Sequence, residues 1–120
     1  MIQNELELTI LMPCLNEEET LETCIKKAQK ALKDNNINGE VLIADNGSTD
    51  ASIEIALKNG AKVINVLNKG YGSALTEGIK NANGKYCIIG DSDDSYDFLN
   101  IMPFLEKLRE GYDLVIRKSF

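Results

Sequence analysis

Leu8-Thr-Ile-Leu-Met-Pro-Cys-Leu-Asn-Glu-Glu-Glu-Thr-Leu-Glu-Thr-Cys-Ile-Lys-Lys-Ala-Gln-Lys-Ala-Leu32 carries the patterns of a strand and a helix in direct succession. Its first part, Leu8 to Met12, is an apolar run stopped by Pro13, the pattern of a buried strand. Its last part places Leu21, Cys24, Ile25, Ala28 and Leu32 at i, i+3, i+4, i+7 and i+11, the stripe of an amphipathic helix. Glu crowds the early turns and Lys26, Lys27, Lys30 and Lys33 the later ones, as the helix dipole favours. Between the two, Asn16 with Glu19 three residues on predicts a capping box that opens the helix. One strand passing directly into one helix is half of a βαβ unit.

The same alternation continues. Asn38-Gly39 marks a turn, and Val41 to Ala44 reads as a second buried strand. Asp45 to Asp50 is a polar loop, and one of Ser48, Thr49 and Asp50 is expected to cap a helix from Ala51 to Lys58 that Gly60 stops. Ala61 to Leu67 is the third strand. Asn68 to Ser73 leads into a helix carrying Ala74, Leu75, Gly78, Ile79 and Ala82 on one face, ended by Gly84. Tyr86 to Gly90 is the fourth strand. A last helix is expected from Asn100 to Gly111, because Pro103 is tolerated only in a first turn. Leu114 to Ile116 would begin a fifth strand. Repeated strand–helix alternation with short connections predicts an α/β fold, a mostly parallel sheet with helices on both faces. Right-handed crossovers then bring every post-strand loop to one edge of the sheet, where ligands of such folds bind.

Composition limits what the site can do. The 120 residues fit one domain, with 43% apolar and 27% charged residues. A net charge of -6 with scattered Lys and Arg argues against nucleic acid as a partner. No apolar run approaches the roughly 18–20 residues of a transmembrane segment. Residues 1–11 lack a signal peptide's pattern, so the chain is expected in the cytoplasm. Three cysteines far apart form neither a disulfide framework nor a zinc site. There is no histidine, which excludes Ser-His-Asp and Cys-His catalysis and His-ligated metals. Carboxylates, Lys, hydroxyls or a carboxylate-bound metal must carry any chemistry.

The post-strand loops are where such groups collect, while the opposite loops are plain connectors. Asp91-Ser-Asp-Asp94 sets three carboxylates within four residues. Alternate side chains of an extended segment share a side, so Asp91 and Asp93 could face one hard divalent cation such as Mg²⁺ or Mn²⁺; an Asp-rich turn capping the next helix accounts for the same residues. Asp45 sits ahead of the capping positions and could accept hydrogen bonds from a ribose or base, with Gly47 letting backbone approach the ligand. Glu17 is free to point at a ligand or at solvent. Lys69 and Gly70 open the third helix, where backbone amides and the lysine charge suit a phosphate.

Together these segments resemble the family-2 glycosyltransferases, whose N-terminal half is a Rossmann-like domain of the GT-A type. Pro13, Asn16 and Glu17 match the family's Pro-x-x-Asn-Glu after the first strand. Asp45, Gly47, Ser48 and Asp50 match its Asp-x-Gly-Ser-x-Asp, Asn68 and Gly70 its Asn-x-Gly, and Asp91 and Asp93 its Asp-x-Asp. The resemblance spans residues 6–118, and Asp91 to Phe98 looks most like the branch that loads sugars onto polyprenyl or dolichyl phosphate. It implies that Pro13, Leu15, Glu17 and Asp45 contact the nucleoside of a UDP-, GDP- or dTDP-sugar. Asp91 and Asp93 would hold Mg²⁺ or Mn²⁺ against the diphosphate. Asn16, Gly47, Ser48, Lys69, Gly70 and Ser92 complete the expected donor-binding set. The family inverts the anomeric carbon by direct displacement. Its acceptor half lies beyond the Asp-x-Asp segment, so this chain is expected to supply the donor side. Arg117 to Phe120 matches the family's next segment only loosely.

Three other classes compete. A non-catalytic nucleotide-sugar-binding module would bind without turnover. A phospho-acceptor signalling domain would keep its acid pair after the first strand, where Pro13-Cys-Leu stands here. A sugar nucleotidyltransferase would show a Gly-rich loop with Arg and Lys after that strand.

Overall fold

Every residue of β1 (Leu8–Cys14) is buried, which only a strand covered on both faces and both edges achieves. The computed structural model describes residues 6–111. In it β1 lies between β2 (Gly39–Asp45) and β4 (Tyr86–Ile89), and β3 (Lys62–Asn65) borders β2, giving the order β3-β2-β1-β4 with all pairs parallel. Cys14 pairs with Asp45, and Asp45 with Asn65, so three strands end in one row. The chain runs from β1 out to β3 and then returns across to β4. The order therefore reverses beside β1, and the loops after β1 and β4 part to leave a crevice.

Period-2 alternation along β1 assigns the helices. Leu8, Ile10, Met12 and Cys14 face a core built with α1 (Leu21–Asp34), Ala56 of α2 (Ser52–Lys58) and Leu105 and Leu108 of α4 (Met102–Arg109). Leu11 faces the other side, where Leu42, Ala44, Val66 and Ala74 of α3 (Tyr71–Asn81) form a smaller cluster. α3 sits close to the sheet because Gly78 has no side chain; a Cβ there would lie 2.5 Å from Leu11 Cδ1. The expected α/β sheet with helices on both faces is thus present. No helix among the described residues is long and apolar enough to cross a membrane.

Several boundaries differ from those expected. α1 begins at Leu21, capped at Thr20 without a side-chain bond, so the capping box at Asn16 does not form. Asn16 instead takes a left-handed φ of 55° and gives its carbonyl oxygen to the neighbouring loop. The N-cap of α2 is Ala51, with no side-chain bond, rather than Ser48, Thr49 or Asp50; Asp50 lies just before it and accepts the Ser52 amide at 2.9 Å. β3 stops at Asn65 rather than Leu67, because the Val66 and Asn68 carbonyls turn to the side chain of Asn46. The last helix starts at Met102, with Pro103 in its first turn, behind a 3₁₀ turn at Phe98–Asn100. Leu114 to Ile116, the expected fifth strand, lies outside the described residues.

Candidate functional site

The loops after β1 and β2 are stitched together by side chains that accept each other's backbone amides. Ser48 Oγ accepts the Asn16 amide at 2.9 Å, and Asn16 Oδ1 accepts those of Thr49 and Asp50 at 2.8 and 3.2 Å. Ser52 Oγ accepts the Glu17 amide at 3.0 Å. Asp45 is 1% exposed. Its carboxylate accepts the Ser48 hydroxyl at 2.6 Å and the Ser48 and Gly47 amides at 2.9 and 3.1 Å. A direct nucleoside contact by Asp45 therefore requires these bonds to open or to be shared. Gly47 has φ 102°, and a Cβ there would lie 2.5 Å from Lys69 Nζ. The left-handed conformation is what demands glycine at this position, since the Lys69 ammonium is the end of a flexible side chain and can move aside.

The loop after β3 is held by Asn46, a buried residue that sequence reasoning passed over. Its Nδ2 donates to the Val66 and Asn68 carbonyls at 3.1 and 2.9 Å, and its Oδ1 accepts the Gly70 amide at 2.8 Å. Lys69 Nζ donates to the Asn46 carbonyl at 3.2 Å. On the far side, Ser92 is 2% exposed. Its hydroxyl donates to the Pro13 carbonyl at 2.8 Å while its own carbonyl accepts from Thr20 Oγ1 at 2.7 Å. This staple fixes the β4 loop against the end of β1.

What these ties enclose is a cleft of about 400 Å³ at the carboxyl edge of the sheet. Pro13, Leu15, Glu17, Lys69, Gly70, Asp91, Ser92 and Asp93 of the expected set line it, joined by Cys14, Asn46, Tyr71 and Ala74. Asn16, Asp45, Gly47 and Ser48 are not part of that lining; they shape the loop behind it. Leu15, half exposed, and Pro13 offer apolar surface, and the first turn of α3 opens on the cleft. Asp91 Oδ1 accepts from Tyr71 OH at 3.0 Å. Asp93 Oδ1 accepts the Ser95 amide at 3.0 Å and the Ser95 hydroxyl, and these bonds hold its carboxyl below the usual carboxylate range. Asp94, at φ 65°, turns away to Lys27 Nζ at 3.0 Å. Capping of the 3₁₀ turn falls to Asp97, which accepts the Leu99 amide at 3.1 Å. The capping account of Asp91 and Asp93 is thereby removed.

Residues 9–119 match the family described as Glycosyl transferase family 2. The chain belongs to this family. Among its family-2 relatives is the low-salt glycan biosynthesis hexosyltransferase Agl6 of Haloferax volcanii, 43% identical over 104 residues, or 87% of this chain and 25% of that protein. The dolichyl-phosphate beta-glucosyltransferase of Drosophila melanogaster is 32% identical over 106 residues, covering 78% of this chain and 32% of the relative. Among solved structures, glucosyl-3-phosphoglycerate synthase from Mycobacterium tuberculosis in complex with UDP aligns with a TM-score of 0.66 and 28% identity. That alignment covers 73% of this chain and 34% of the synthase. The same enzyme with Mn²⁺, UDP and phosphoglyceric acid gives 0.65 over 72% of this chain and 33% of the synthase. The fold is thus the GT-A fold, and the chain spans a quarter to a third of the length of these similar proteins.

The synthase has been solved with Mn²⁺, and the cleft can be tested for fit to such an ion. Among the described residues no group of three or more His, Cys, Asp or Glu side chains is placed to hold a metal. Asp91 and Asp93 nevertheless both line the cleft, and each carries its protein hydrogen bonds on Oδ1. Two carboxylate oxygens with substrate phosphates completing the shell is the usual way a hard divalent ion is held beside a nucleotide. The residues fit a metal that arrives with a diphosphate.

Proposed function

We propose that this chain is the donor-binding domain of a glycosyltransferase that takes a nucleoside diphosphate sugar, of the UDP, GDP or dTDP class, with Mg²⁺ or Mn²⁺. The observation that carries this reading is the charge of the cleft. Glu17, Asp91 and Asp93 set three carboxylates against the single ammonium of Lys69 among its lining residues. An anionic diphosphate is repelled by that surface unless a divalent cation lies between it and the carboxylates.

In this reading Asp91 and Asp93 would hold the ion, and the bonds from Ser95 favour the ionised form of Asp93. The ion's contribution when bound is neutralisation of the charge that grows on the diphosphate. Lys69 and the amides opening α3 face the same diphosphate, where a helix N-terminus favours negative charge. Pro13 and Leu15 pack against the nucleoside, Glu17 hydrogen-bonds to it, and Asp45, Gly47, Ser48 and Asn16 hold the wall on which it rests. Ser92 fixes the separation between the β1 and β4 ends. An acceptor oxygen attacks the anomeric carbon from the face opposite the departing diphosphate, forming one C–O bond as the other breaks, and configuration inverts. We propose a polyprenyl or dolichyl phosphate as acceptor. The likeness to the Drosophila dolichyl-phosphate glucosyltransferase supports it, and such an anion attacks without needing a base.

The test is a thermal-shift screen of UDP-glucose, GDP-mannose and dTDP-glucose, each with and without Mn²⁺. Stabilisation by one nucleotide class that depends on Mn²⁺ is expected. Stabilisation by none, or equal stabilisation in EDTA, removes the reading.

A further inference from the structure

We infer that Tyr71 is a positioning residue for Asp91, reaching from the first turn of α3 to the loop after β4 and fixing the carboxylate that grips the metal. The inference rests on the metal assignment above and adds to it a residue that none of the donor-side motifs contains. Its basis is geometric. Tyr71 OH donates to Asp91 Oδ1 at 3.0 Å, and both residues line the one cleft together with Asp93. Asp93 is oriented by its own loop through Ser95, but Asp91 receives its bond from a different element on the opposite wall.

The side chain suits that task. A carboxylate offers about four lone-pair positions, and one phenol fills a single position on Oδ1, leaving Oδ2 for a metal. A lysine or arginine at this place would orient Asp91 equally well but would neutralise it and compete with the cation. A phenol orients the carboxylate and adds no charge. Partners that hold a ligating carboxylate from behind raise metal affinity because the ligand is already aimed when the ion arrives. Tyr71 is 57% exposed and belongs to neither apolar cluster, so packing does not account for its conformation. The bond also ties the helix end that faces the diphosphate to the residue that holds the metal.

The experiment compares the parent chain, Tyr71→Phe and Asp91→Asn by two measurements. Mn²⁺ binding is read from the loss of the free-ion electron paramagnetic resonance signal in the presence of UDP. Uridine binding is read by calorimetry in EDTA. Tyr71→Phe keeps the ring and removes only the hydroxyl. We expect it to weaken Mn²⁺ binding by about tenfold, the lower end for such supporting contacts, with uridine affinity unchanged. Equal Mn²⁺ affinity in Tyr71→Phe and parent overturns the inference while Asp91→Asn still loses the ion. Parallel loss of uridine and Mn²⁺ in Tyr71→Phe also overturns it, making Tyr71 a general support of the cleft. If Asp91→Asn binds Mn²⁺ as the parent does, it is the metal reading itself that fails.

Discussion

Replacing Asn46 by alanine removes a side chain that joins the end of β2 to the loop leading into α3. Asn46 is 6% exposed and makes three hydrogen bonds, to the Val66 and Asn68 carbonyls and from the Gly70 amide. A typical intramolecular bond contributes about 1 kcal/mol net, so three lost together cost about 3 kcal/mol; water entering from the cleft reduces this to about 2 kcal/mol. Against a usual domain stability of about 5–15 kcal/mol, that is a large fraction. Urea unfolding should show it as a lower midpoint with an unchanged slope. Function should fall with it, because Asn68 and Gly70 lose their anchor and the first turn of α3 is no longer aimed at the diphosphate. Asn46→Asp sharpens the argument. It keeps the size and the acceptor for Gly70 but sets a carboxylate against two carbonyl oxygens, so it should destabilise at least as much as alanine. If Asn46 merely filled space, aspartate would be silent. A parent-like urea midpoint and parent-like UDP affinity in Asn46→Asp would refute the reasoning.

Three further perturbations probe the rest of the molecule. Asp91→Asn with Asp93→Asn should abolish Mn²⁺-assisted nucleotide binding and leave the circular dichroism spectrum intact, since both residues lie in a loop at the cleft; parent-like binding in Mn²⁺ would discard the metal assignment. Asp45→Ala should weaken free uridine and the sugar nucleotide alike, by roughly tenfold, because the loop behind the cleft loses its bonds to a charged group, and an unchanged uridine affinity would show that the nucleoside does not rest on that loop. Arg109→Gln should remove the two 2.7 Å bonds to Glu7 that tie α4 to the approach to β1, costing up to about 1 kcal/mol at neutral pH for so exposed a pair. Those bonds hold the Glu7 carboxyl below its ordinary value, so their contribution is full above the usual glutamate range and fades as pH falls through the lowered value. Parent and variant should then converge in acid, and a difference that persists there would assign the effect to packing.

The fold was legible because its signals are local and redundant. Each strand is an apolar run, each helix shows a 3.6-residue stripe, and β1's alternation alone decides which helices share a face. The cleft was legible in outline for a related reason: in a parallel α/β sheet, chain direction places Pro13, Glu17, Lys69, Asp91 and Asp93 at one edge without any knowledge of contacts. Boundaries failed where a polar side chain had two partners to choose between. Asn16 and Glu19 carry a sound capping pattern, but Asn16 Oδ1 accepts the amides of Thr49 and Asp50 instead, and α1 starts late.

Asn46 was missed for a deeper reason, and the closure of Asp45 onto its own loop went unforeseen for the same one. An Asp-Asn-Gly sequence after a strand announces a polar loop but does not say which side chain turns inward. Asp45 closes onto its own loop because Gly47 and Ser48 present amides two and three residues ahead, a local geometry that any such turn can supply. Asn46 is buried only because a segment 20–24 residues further along passes over it and offers two carbonyls and an amide. An aspartate at that position could not have satisfied both carbonyls, and a serine could not have reached all three groups. The amide side chain, with donors and an acceptor on one planar end, is the group that fits. Sequence periodicity carries no trace of such a crossing, because it depends on where β3 ends, and β3 ends where the Val66 carbonyl turns to Asn46 while its amide still bonds the Asp45 carbonyl.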